Sequence, residues 1–124
     1  MGEIDELSKR IDRILKKDRR YRKEAYIFMF GALEYTLERI GERRHVTGQE
    51  LLKGVSDYGW QQYGPMTKLV FEHWGVRTTE DFGNIVFNLI DAGLMGKTEE
   101  DSIEDFKDVY DFDEEFDWRK RRSS

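Results

Sequence analysis

The sequence predicts a mainly α fold: about five helices in one compact domain, closed by a short acidic C-terminal arm. Three observations lead there. Apolar residues recur at three- and four-residue spacing along most of the 124-residue chain, the period of a helix with one buried face. Threonine–acid pairs, one proline and several glycines punctuate these stretches where helices start and stop. Aromatic residues, 14% of the chain, are numerous enough to fill one core, although 38% of the residues are charged, well above the usual quarter.

The first helix is expected over residues 3–16, with Ile4, Leu7, Ile11, Ile14 and Leu15 as a narrow apolar stripe. So short a helix is marginal alone and has to dock on something. The second, over 20–40, is apolar on nearly every face, from Tyr21 through Phe28, Met29 and Leu33 to Ile40, and so reads as central. Gly41 ends it. The third begins at a capping box, Thr47-Gly-Gln-Glu50, and runs to about Tyr63. The fourth begins at Pro65, with Met66, Leu69, Val70, His73 and Trp74 inward. Gly75 and Val76 close it. The fifth is capped by Thr78 or Thr79 and carries Phe82, Ile85, Val86, Leu89 and Ile90, ending at Gly93 and Leu94.

Beyond Leu94 two readings stay open. Thr98 with Asp101 suits a short acidic helix holding Ile103, Phe106 and Val109. Tyr110 to Trp118 instead alternates aromatic with acidic, a strand period, although Val109, Phe112 and Phe116 also fit a helix. Residues 1–118 form the expected domain, and 119–124 a disordered basic tail.

Charge is distributed unevenly. Residues 1–45 carry a net +3, residues 99–118 a net −10, and the last six residues +4. The chain has no cysteine, which excludes disulfides and thiolate metal sites. No apolar run approaches the roughly 18 residues that cross a bilayer, so no membrane partner is expected. The opening MGEIDELSKR has acids and no apolar core, unlike a secretory signal. A cytoplasmic address follows as the expectation.

The stretches RYRKEAYIFMFGALEYT, RRHVTGQELL and HWGVRTTEDFGNIVFNLIDAGLMGKTEEDSIEDF resemble, in this order, a small family of uncharacterised bacterial proteins. The resemblance covers about Tyr21 to Phe116. It implies a compact domain and transfers no activity, cofactor or catalytic residue. A second likeness is topological: helices three to five followed by a small β hairpin over 94–112 are similar to the plan of winged-helix domains.

Motifs for chemistry are lacking. The two histidines, His45 and His73, form no metal-ligand pair, and neither a nucleophile elbow nor a phosphate loop occurs. The acids from Glu99 to Asp117 miss the glycine of a calcium loop. No catalytic, cofactor or metal residue is therefore assigned, and an enzyme with an unrecognised site ranks third. The favoured expectation is a non-enzymatic protein-interaction or regulatory domain.

Its candidate contact residues are the basic cluster Lys16, Lys17, Arg19, Arg20, Arg22 and Lys23, the pair Arg43 and Arg44, and the aromatics Trp60, Phe112, Phe116 and Trp118. Nucleic acid bound through residues 16–23 is the alternative partner. The acidic arm is expected to dock on the body through Phe106, Phe112 and Phe116, with its carboxylates near Lys16 to Lys23 or near Arg43 and Arg44.

Overall fold

The computed structural model describes residues 2–122, and most of them are helical. Helix α1 is Gly2–Lys17, α2 is Lys23–Ile40 and α3 is Gly48–Tyr63. A 3₁₀ turn at Gly64–Met66 leads into α4, Thr67–His73, and α5 follows at Thr79–Asp91. The arm contains a 3₁₀ turn at Ile103–Phe106 and two short helices, α6 at Phe112–Glu115 and α7 at Trp118–Arg122.

Local chemistry sets the boundaries. Thr47 accepts from the Glu50 amide, and the Glu50 carboxylate returns the bond to the Thr47 amide, so the expected capping box starts α3. Thr78, with Asp81 as its partner, does the same for α5. Gly75 and Gly93 take positive φ, 90° and 74°. Behind them Val76 and Leu94 donate back to the carbonyls of Phe71 and Leu89, closing α4 and α5 as Schellman ends.

Two expectations about the helices need correction. Helix α2 begins at Lys23 and not near residue 20, because Arg22 is extended and fastened elsewhere. Its amide donates to the Trp74 carbonyl (3.0 Å) and its Nε to the His73 carbonyl (3.1 Å). Gly75 completes this seat: a Cβ there would stand 2.3 Å from the Arg20 carbonyl oxygen. The inner face of α4 is also rotated from the expected one. Met66 and Leu69 are exposed, as is His73, while Thr67, Phe71 and Trp74 face inward. The 3₁₀ turn at Pro65 winds more tightly than an α-helix and shifts the phase.

The core is organised around Phe71. Its ring meets those of Phe28, Trp74, Phe82, Phe112 and Phe116 at centroid distances from 5.1 to 6.0 Å. Helices α2 and α3 approach most closely where Gly54 faces Thr36, whose Oγ1 would lie 1.8 Å from an added Cβ. A polar stripe on α5 holds the α1–α2 joint: Asp81 accepts from the Tyr21 hydroxyl (2.6 Å), Asn84 donates to that same oxygen, and Asn88 donates to Tyr26 and Asp18.

The arm packs on the body, as its aromatics require. Phe106, Phe112 and Phe116 are all buried. The Tyr110 hydroxyl donates to the Leu52 carbonyl (2.7 Å), and the Val109 amide to Thr79 (3.2 Å). Arg121 closes the end by donating to Ser56, Asp57 and Glu115. The expected β hairpin over 94–112 is not formed, since the described residues contain no strand. Ser102 with Asp105, and then Asp111, cap successive short turns, and Asp108 breaks the run at φ 50°. The likeness to winged-helix domains loses its wing. Residues up to Arg122 of the expected tail form α7, and Ser123 and Ser124 lie outside the described residues. Among the described residues no helix is long and apolar enough to cross a membrane.

Candidate functional site

A groove opens where α2, the start of α3 and the end of α5 meet the beginning of the arm. Leu33 and Leu37, one turn apart on α2, form one wall. Val86, Phe87 and Ile90 of α5 form the other, and Leu94 and Met95 extend it beyond the helix end. Val46 and Leu51 lie at the third side. Phe106 lines it from the arm, seated between Gly48 and Gly83 and edge-on to Phe87. The enclosed volume is about 280 Å³, near the lower end of the roughly 300–1,000 Å³ typical of small-molecule pockets.

The rim is charged and internally paired. Arg44 grips Glu50 with both terminal nitrogens (3.1 and 2.7 Å) and reaches Glu42 with Nε (3.2 Å). That guanidinium, with the Thr47 amide, holds the Glu50 carboxyl down to about 2. His45 Nε2 lies 2.7 Å from Asp101 Oδ2, which also accepts from the Thr98 amide. Burial alone would raise the Asp101 carboxyl, but the Thr98 amide and His45 outweigh it and leave it below its ordinary value. The groove lining contains no Ser, Thr, Cys or Lys, and the hydroxyl that approaches the His45–Asp101 pair, that of Thr98, is engaged with Asp101 from outside the lining. No group of three His, Cys, Asp or Glu among the described residues is disposed to hold a metal ion.

The sequence-selected contact residues separate into groups. Arg20 pairs with Asp18 (2.7 Å) and lies over the Tyr21 ring, Lys23 pairs with Asp12 (2.9 Å), and Arg22 is bound to α4 carbonyls. Lys16, Lys17 and Arg19 are exposed and, like Arg13 on α1, make no ion pair among the described residues. Arg43 pairs with Glu34 (3.0 Å). Trp60 is half-buried beneath the Arg121 guanidinium (5.6 Å). Phe112 and Phe116 are core residues, and Trp118 remains exposed.

The arm's carboxylates are found elsewhere than beside residues 16–23. Asp101 meets His45, Asp113 meets Lys68 (3.0 Å), and Glu115 meets Arg121 (3.2 Å). Only the Arg44 side of the expectation is approached, through Asp101 and Asp105 on the same groove rim. Sequence reasoning missed the groove because its walls come from five separate segments. The faint signal was apolar residues to spare, notably Phe87 and Met95 beside stripes already filled. Comparison with family models, curated proteins and solved structures finds no match to this chain.

Proposed function

We propose that this chain is a non-enzymatic interaction domain whose groove receives an apolar side chain from a partner protein, flanked there by lysine or arginine. The observation that carries the reading is the contrast between wall and rim. The walls are aliphatic and aromatic, so they favour a bulky apolar anchor. The rim's own polar groups are engaged with one another, which leaves little for a polar ligand to displace. Glu99, Glu100 and Glu104, chain neighbours of the lining residues Asp101 and Asp105, are exposed and complement a basic flank.

Selection of a random twelve-residue peptide display library against the intact protein tests this. Enriched peptides are expected to carry a bulky apolar residue next to Lys or Arg. Their amide shift changes should centre on Leu37, Val46 and Ile90. Met95→Glu, at the half-buried mouth, should abolish binding with only a small loss of Tm. Peptides that map to another face, or no enrichment at all, would overturn the reading.

A further inference from the structure

The second feature is electrostatic and independent of the groove. Residues 10–23 hold eight basic and two acidic side chains, a net +6 inside a chain of net −5. An intramolecular explanation would have the acidic arm neutralise this stretch. The geometry of α5 prevents it. Positions 81, 84 and 88 face the α1–α2 joint, whereas Thr79, Gly83 and Phe87 face the arm. At 100° per residue the centres of these two sets lie about 130° apart around one helix. A helix with its side chains is about 10 Å across, and the Debye length at physiological salt is about 8 Å, so the arm screens the basic stretch weakly.

What remains is a ridge. Arg13, Lys16, Lys17 and Arg19 are exposed and make no ion pair among the described residues. On α1, Arg13 lies about 4.5 Å along the axis from Lys16 and about 6 Å from Lys17. We propose that this ridge binds the phosphodiester backbone of duplex nucleic acid, without reading its sequence. A duplex carries one charge per about 1.7 Å of axis, dense enough to engage several cations of a short ridge together.

Two observations favour a duplex over a membrane surface or a single strand. From Arg10 to Lys23 every exposed residue is charged, and Ile11, Ile14 and Tyr21 are buried. A membrane surface would call for apolar side chains to insert, and those of α1 are already spent on the core. Single-stranded nucleic acid is held largely by stacking on exposed aromatics, and the ridge has none.

Fluorescence anisotropy with labelled 20-base-pair DNA and RNA duplexes tests the proposal on the full chain. Binding to either duplex is expected, with Kd on the order of 10 µM at 50 mM KCl and a log–log salt slope of about −3 to −4 for four cations. Arg13→Glu with Lys17→Glu should weaken binding at least tenfold, and Arg13→Gln with Lys17→Gln several-fold, with helical circular dichroism retained. The charge-matched pair Lys53→Glu and Lys107→Glu, both exposed and away from the ridge, should leave affinity within twofold. Equal loss in that control pair would overturn the assignment. So would preference for phosphatidylserine vesicles or polyglutamate over both duplexes, or no duplex binding at 50 mM KCl.

Discussion

Phe106 rests directly on the backbone of Gly83, where a Cβ would come within 2.7 Å of the Phe106 Cβ. The contact point is the root of the side chain, which cannot swing away. The arm is therefore docked by shape as well as by apolar area. Gly83→Ala should gain about 1 kcal/mol in helix propensity and lose more to overpacking, for a net loss of roughly 1 kcal/mol. Phe106→Ala should cost about 3–5 kcal/mol. Urea denaturation measures both, and amide exchange across 103–117 should accelerate in each variant.

The α2–α3 contact sets a second test. An alanine at Gly54 would collide with Thr36 Oγ1, which is itself bonded to the Ala32 carbonyl (2.7 Å). Gly54→Ala alone should destabilise by about 2–3 kcal/mol. Adding Thr36→Ala clears the space, so the double variant should be more stable than the sum of the two single losses indicates. Strict additivity in thermal denaturation would contradict the packing.

Arg121 concentrates the polar side of arm docking. It reaches Asp57, Ser56 and Glu115 and covers the Trp60 ring. Arg121→Ala should cost about 1.5–3 kcal/mol, the usual range for hydrogen bonds to charged groups. Raising KCl to 1 M should reproduce only a small part of this loss, because the buried aromatics of the arm are not screened. Indole fluorescence should report the change at Trp60.

Acid should act on the α1–α2 joint. Arg20 donates to Asp18 through two guanidinium nitrogens and its backbone amide, and despite partial burial these bonds, with that from Asn88, hold the Asp18 carboxyl well below the usual range. A depressed carboxylate stabilises the fold above its unfolded pKa, about 3.9, and the contribution is lost as pH falls from there toward the folded value. Asp18→Asn should therefore be less stable than the native chain at pH 6. The gap in Tm should narrow between about pH 4 and pH 2.

The sequence-based expectations hold best where a bond partner sits within a few residues. Thr47 and Glu50 are three apart, and Gly75–Val76 and Gly93–Leu94 are adjacent, so each helix end is readable from its own neighbourhood. The helix α4 face is less readable, because seven residues with Leu69, Val70 and Phe71 in succession offer several plausible stripes. Nor can the period of residues 110–118 decide between helix and strand, since Phe112 and Phe116 satisfy both. Side-chain bonds across more than 50 residues, such as Tyr21 to Asp81 or Tyr26 to Asn88, leave no periodic trace. The His45–Asp101 pair is hidden for the same reason, and the groove with it.

The seat of the α1–α2 joint on the end of α4 bears on how copies of this chain meet one another. Domain swapping exchanges an identical element between protomers and is a hazard where a hinge loop can open. Here residues 18–22 cannot straighten into a longer helix without releasing Trp74, His73 and Asp81 together. The connector is latched from a distant part of the chain, and α1 stays with its own body. Gly75→Ala would strike the Arg20 carbonyl and impose a positive φ on alanine at once. It would loosen the latch and leave the 18–22 connector free to act as a hinge.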